Sequence, residues 1–162
     1  MQKRRHTMLI AVNAGNSRVL LGGYEEDGQV FSASIATEPK LTRDDYACKL
    51  QQVLLLYGVN VRRIHGGIVS SVVPSMVGVL EGALRLLGIR DVIEVSSGVK
   101  TGLNIRSEQP RQVGSDRVAA AVAARAKGKL PCVAVTLGTA TTFTALDGSG
   151  ALVGSAITAG VQ

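Results

Sequence analysis

One figure occurs twice in this chain: an apolar strand that breaks at a glycine and turns back as a hairpin. Met8-Leu-Ile-Ala-Val12 runs into the tight loop Asn13-Ala-Gly-Asn-Ser17 and then into Val19 to Tyr24. Cys132 to Val135 runs into the loop Thr136 to Thr139 and then into Ala140 to Leu146. Aligned on their glycines, Val12-Asn13-Ala14-Gly15-Asn16-Ser17 matches Val135-Thr136-Leu137-Gly138-Thr139-Ala140. Met once, strand, glycine and strand make an ordinary hairpin; two copies in register make an internal repeat. A glycine at the end of a strand lets backbone N–H groups approach phosphate oxygens with no Cβ in the way, so the repeat implies two facing phosphate loops.

The stretches between and after the two copies fix the class of fold. Glu25 to Gly28 closes the first hairpin, and Gln29 to Ala36 alternates as a third strand. Thr42-Arg-Asp-Asp45 opens a helix with Thr42 as its cap, and Tyr46, Leu50, Val53, Leu54 and Tyr57 fall on one helical face. Gly58 ends it. Gly67 to Val73 reads as a buried strand, and Pro74 suits the first turn of a helix that carries Val77, Leu80, Leu84 and Leu87 inward until Gly88. Asp91 to Val95 is a short strand, Ser96 to Val113 a polar loop long enough to carry function, and Ser115 to Lys127 a helix. After Asp147 to Gly150 turns, Ala151 to Ile157 is a last strand. Strands in hairpins followed by alternating helix and strand predict an α/β fold of ribonuclease H-like pattern: a mixed sheet with helices, not a pure Rossmann wind. The expected domains are 8–128, complete, and 131–162, the hairpin strands of a second unit only begun, after a basic leader at 1–7.

Composition excludes more than it identifies. With 162 residues and 46% hydrophobic residues the chain can bury one sizeable core. Aromatic residues are only 3% and Trp is absent, so stacking platforms for single-stranded nucleic acid are scarce. Half of the net charge of +6 comes from Lys3, Arg4 and Arg5 in the leader, and no nucleic acid partner is expected. Cys48 and Cys132 stand far apart, which argues against a disulfide framework or a zinc site. The apolar run Met8 to Val12 is too short for a signal peptide core or a membrane span, so the expectation is a cytoplasmic protein with no membrane partner. His6 in the leader and His65 before Gly66 give no acyl-transfer constellation, and Arg62-Arg63 reads as a solvated face or a dimer rim.

Val113-Gly114-Ser115-Asp116-Arg117 carries the chemistry. It sets a carboxylate in the opening turn of a helix, where an acid either answers the helix dipole or takes a proton from a substrate hydroxyl. Joined to loops able to hold phosphate oxygens, the second role is that of a kinase base.

Asn13-Ala-Gly-Asn-Ser17, Ser70-Ser-Val-Val-Pro74, Lys100-Thr-Gly-Leu-Asn-Ile-Arg106, Gly114-Ser-Asp-Arg117 and Gly138-Thr-Ala-Thr-Thr-Phe143, taken in order, resemble the type III pantothenate kinases. The match runs from Met8 to Gln162, and Gly154-Ser-Ala-Ile-Thr-Ala-Gly160 resembles that family's glycine-rich turn. The resemblance implies the acetate and sugar kinase, Hsp70 and actin superfamily, with its actin-like ATPase fold. The implied enzyme is a homodimeric transferase that phosphorylates pantothenate to 4′-phosphopantothenate with ATP, in the first step of coenzyme A biosynthesis. It implies Mg2+ and a monovalent cation, K+ or NH4+, as cofactors. Carried over by motif, Asn13, Ala14, Gly15, Asn16, Ser17 and Arg18 bind ATP in the first loop, and Gly138 and Thr139 bind it in the second. Gly114, Ser115, Asp116 and Arg117 form the pantothenate-binding turn, with Asp116 as general base and Arg117 able to fork onto the substrate carboxylate.

Departures from the family pattern cluster at the site. The first loop usually begins with Asp and here begins with Asn13, which brings no negative charge to Mg2+. The second also usually begins with Asp, a ligand of the monovalent cation, and here Thr136 stands as a degenerate cation position. A substrate-side position that is often Tyr is Ser107, so the pantothenate pocket is expected to be altered or wetter. The sequence given ends at Gln162, where a domain would normally continue for about 100 residues. Val133, Val135, Phe143 and Leu146 are therefore expected to be uncovered. The alternative to a kinase is a non-catalytic descendant, a pseudokinase or regulatory binding protein, that keeps the scaffold after losing the two acids.

Overall fold

The computed structural model describes residues 7–96, 98–107 and 109–160. By its internal contacts the chain divides into two compact units, one ending at Glu94 and the other beginning at Val95.

The first unit is built on a five-stranded sheet. Its strands are β1 (Met8–Ala14), β2 (Arg18–Glu25), β3 (Gly28–Ala36), β4 (Ile64–Ser71) and β5 (Asp91–Glu94), in the order β3-β2-β1-β4-β5. The hairpin strands β1 to β3 are antiparallel, whereas β4 and β5 run parallel to β1 because helices α1 (Arg43–Leu56) and α2 (Pro74–Leu86) return the chain between them. This is a mixed, ribonuclease H-like sheet with helices. Alternation along β1 sends Met8, Ile10, Val12 and Ala14 into the core, where they meet Tyr46, Leu50 and Leu54 of α1 and Met76, Leu80 and Leu84 of α2. Helix α1 starts where a reciprocal capping box allows it: Thr42 Oγ1 accepts the Asp45 N–H at 3.3 Å while Asp45 Oδ2 accepts the Thr42 N–H at 2.9 Å.

Several boundaries differ from the sequence reading. Strand β1 does not stop at Val12, because β4 pairs Asn13 with Ser70 and Ala14 with Ser71 and so supplies a ladder for both. Strand β4 begins already at Ile64, which puts His65 in a strand and leaves Val72 and Val73 beyond its end. The residues before it form a 3-10 turn, Val61–Arg63, whose Arg62 N–H is accepted by Asn60 Oδ1 at 3.0 Å. Tyr57, expected on the inward face of α1, is half exposed, and its ring lies 5.1 Å from that of Phe31. Val77 and Leu87 are only partly buried; Met76 and Ala83 take the inward positions on α2.

The second unit holds α3 (Ser115–Ala126) and an antiparallel sheet of β6 (Cys132–Thr136), β7 (Ala140–Leu146) and β8 (Leu152–Ala159), in that order. Helix α3 packs on β6 and β7. Its Val118 and Ala121 share a core with Val95, Val113, Leu146 and Leu152. Helix α3, which the sequence grouped with residues 8–128, thus belongs by contact with the strands that follow it. The same packing corrects Leu146: it is 2% exposed, covered by α3, while Val133, Val135 and Phe143 on the opposite face are exposed. A further short piece joins this sheet, since Ile105 bridges Leu152 in parallel at the free side of β8.

Candidate active site

Helix α3 begins at Gly114, whose carbonyl accepts the N–H groups of Arg117 at 3.0 Å and Val118 at 3.1 Å. A glycine cap brings no side chain to the first turn, and Asp116 fills the space above it. Its Oδ1 lies 2.5 Å from the point where a Gly114 Cβ would stand, so the carboxylate folds back over the cap and only glycine leaves it room. The side chains of Asp116 and Arg117 are 25% and 17% exposed, with Arg117 Nε 4.0 Å from Asp116 Oδ1. The guanidinium is anchored on its far side: Nη1 donates to Ser155 Oγ at 2.9 Å and Nη2 to the Gln112 carbonyl at 3.2 Å. Nε is buried with no hydrogen-bond partner among the described residues. Arg117 is therefore already engaged by the protein and does not present an open fork.

Beside it lies a cleft of about 490 Å³, walled by Ser107, Gln109, Gln112, Arg117, Gly154 and Ser155 among others. Ser107 Oγ is also buried without a hydrogen-bond partner among the described residues. Both unpaired atoms belong to residues that line the cleft but are themselves shut off from solvent, and a buried polar group left unpaired costs about 1–3 kcal/mol. The structure thus brings Ser107, Gly114, Ser115, Asp116 and Arg117 into one region. Sequence reasoning did not assign Gln112 or Ser155 to the site; Gln112 carries no local signal, whereas Ser155 lies in the Gly154 to Gly160 stretch.

The second glycine loop lies in the same unit. Thr136 is the last residue of β6, paired with Thr142 and exposed. Gly138 and Thr139 form the turn before β7, and Gly138 itself has room for a side chain, its nearest would-be neighbour being the Ala140 carbonyl at 3.6 Å. The residue that must be glycine is Gly160, because a Cβ there would strike the carbonyl oxygens of Gly138 and Thr139. The 138–139 turn rests on that close approach.

In the first unit, Asn13 is exposed near the end of β1, but Ala14 is fully buried and can offer a ligand only its backbone. The Gly15 N–H is spent on the Arg18 carbonyl at 2.8 Å, and Thr37 Oγ1 donates to the Gly15 carbonyl at 2.8 Å. Both backbone groups of Gly15 are thus engaged within the first unit. Asn16, Ser17 and Arg18 are exposed, and Arg18 Nη1 donates to Ser34 Oγ at 3.3 Å. Among the described residues no three His, Cys, Asp or Glu side chains gather. With Asn13 neutral, this donor set does not fit a protein-held Mg2+.

The family model for type III pantothenate kinase matches residues 9–162. A type III pantothenate kinase of Syntrophotalea carbinolica is 39% identical over 155 residues, covering 96% of this chain and 61% of the relative, so the chain spans about three fifths of that relative's length. Among solved structures, the ethanolamine utilization protein EutJ from Carboxydothermus hydrogenoformans aligns at a TM-score of 0.55 and 13% identity, over 96% of this chain and 53% of that one. The ROK hexokinase from Thermus thermophilus aligns at 0.51 and 12%, over 90% and 47%. These likenesses are of fold alone. The matched segment begins at the first repeat strand and includes both glycine loops and the Gly114 to Arg117 turn, so the chain belongs to the type III pantothenate kinase family.

Proposed function

We propose that this chain contributes to the ATP-dependent phosphorylation of pantothenate at its 4′-hydroxyl, giving 4′-phosphopantothenate and ADP for coenzyme A biosynthesis. The observation that carries the reading is the half-buried pair Asp116 and Arg117 at the start of α3, next to a polar cleft with unpaired groups in its wall. Pantothenate carries a carboxylate, an amide and hydroxyls, which suit the polar groups of Ser107, Gln109 and Gln112 in that cleft, with the positive charge of the engaged Arg117 beside them. Asp116 accepts the proton of the 4′-hydroxyl as its oxygen bonds to the γ-phosphorus and the bond to the β-phosphate oxygen breaks, leaving ADP. The 138–139 loop on Gly160, in the same unit as the cleft, is assigned to the ATP phosphates.

Mg2+ enters this reading with the nucleotide, held by phosphate oxygens, and no step is routed through a protein-held ion. Thr136 offers a hydroxyl and a backbone carbonyl, the neutral oxygens that K+ or NH4+ accepts, and is the proposed cation position. A homodimer in the cytoplasm completes the proposal; among the described residues no helix is long and apolar enough to cross a membrane. The test is pantothenate-dependent formation of ADP by the purified chain with Mg2+ and K+, with 4′-phosphopantothenate identified by mass. ADP released at the same rate without pantothenate, or no product, would overturn the reading.

A further inference from the structure

The segment that leads into the cleft is held on β8 by contacts that take no part in the chemistry described so far. The Leu152 N–H donates to the Asn104 carbonyl and the Arg106 N–H to the Leu152 carbonyl, both at 2.8 Å, so 104–106 lies along β8 as a short parallel rung. Ser107 and Gln109 follow that rung, Val153, Gly154 and Ser155 follow Leu152, and all five line the cleft. Two backbone hydrogen bonds thus fix these two lining segments relative to each other.

Two side chains brace this rung from outside. Arg125, near the end of α3, donates from Nη1 to the Gly102 carbonyl. Its stem passes over the β7–β8 turn, 3.1 and 3.2 Å from the point where a Cβ on Gly150 would stand. Asp147 holds the same turn: Oδ1 accepts from Ser149 N at 2.8 Å, Ser149 Oγ at 2.7 Å and Ala151 N at 3.0 Å, while Oδ2 faces Arg106 Nη1 at 3.6 Å. One carboxylate therefore sets the turn with one oxygen and attracts the rung with the other.

We propose that Arg125 and Asp147 are positioning residues for the cleft, fixing where its 107–109 and 153–155 lining segments stand through the 102–106 segment without touching a ligand. The proposal rests on the cleft being the pantothenate site only for its kinetic consequence; the brace itself is read without substrate.

The test uses Arg125→Met, which keeps the stem and removes the donor, Arg125→Lys, which restores a donor, and Asp147→Asn, which keeps an oxygen for the turn and removes the charge. Amide hydrogen exchange at Arg106 and Leu152 should quicken about tenfold in Arg125→Met and recover in Arg125→Lys, with α3 amides unchanged. KM for pantothenate should rise about tenfold in Arg125→Met and Asp147→Asn while kcat and KM for ATP stay within about twofold. Unchanged exchange at Arg106 and Leu152 overturns the brace, and so does quickened exchange spread through α3 and β6 to β8, which would mark a general loss of stability. If the unaltered chain does not turn over pantothenate, the proposed function fails while the exchange result still decides the brace.

Discussion

Replacing Gly114 by alanine separates the position of the Asp116 carboxylate from the stability of the helix that carries it. The backbone at Gly114, φ −61° and ψ 150°, is open to any L-residue, so the substitution strains nothing. Alanine is a poorer cap than glycine but restricts the unfolded chain, and these opposing effects leave a net change within about 1 kcal/mol. The side chain is another matter. A Cβ at 2.5 Å from Asp116 Oδ1 must drive that oxygen back by about 1 Å to reach ordinary contact, and the oxygen can yield because it ends a flexible side chain. A general base displaced by about 1 Å loses roughly a hundredfold in rate. A coupled ADP-release assay should therefore show kcat falling by about two orders of magnitude, while the thermal midpoint moves by no more than about 8 °C. Unchanged kcat would refute the reasoning that the carboxylate works from its place over the cap. A fall in kcat matched by general unfolding would refute the claim that the cap tolerates a methyl group.

Other consequences are as direct. Gly160→Ala would press a methyl group on the backbone of Gly138 and Thr139, which cannot swing aside as a side chain can; about 1–3 kcal/mol of stability should be lost and KM for ATP should rise, and a urea titration with KM unchanged and stability unchanged would contradict it. Thr42→Ala removes the capping box of α1 and should cost about 1 kcal/mol by urea denaturation, without effect on KM for pantothenate. Hydrogen bonds from Ser149 to Asp147 and from Thr42 to Asp45 hold both carboxyls below their ordinary values. A depressed folded value means that their stabilisation is present above the unfolded carboxylate value of about 4 and is lost as pH falls through the folded value, so the urea midpoint should drop as pH is lowered below about 4, less steeply in Asp147→Asn. A midpoint that stays flat over that range would contradict the assignment.

The strands and helices were legible where local pattern and tertiary need agree. The apolar runs of β1 and β6, the Thr42 cap and the proline at the start of α2 carry their signals in a few adjacent residues. Where a neighbour decides, the sequence was silent: Asn13 and Ala14 are strand because β4 lies alongside, and His65-Gly66 is strand despite the glycine because β1 and β5 supply ladders. A helix over 115–127 was readable but not the sheet it packs on, so Leu146, expected to be bare for want of later residues, is covered by α3. At the site, the Gly114 to Arg117 turn was readable as a motif. The engagement of Arg117 by Ser155 and Gln112, the spent N–H of Gly15 and the demand for glycine at 160 all depend on residues distant in sequence or on backbone geometry.

The central claim is that Asp116 takes the proton of the substrate hydroxyl. Its most direct test is Asp116→Asn, a change that keeps the shape and hydrogen-bonding reach of the side chain and removes its capacity as a base. The account predicts that kcat for 4′-phosphopantothenate formation falls by a factor of about 10² to 10⁴ while pantothenate binding, measured by calorimetry, stays within about threefold. A kcat within about threefold of the unaltered chain, with binding intact, would contradict it and leave Asp116 as a helix-capping acid of the kind the dipole alone explains.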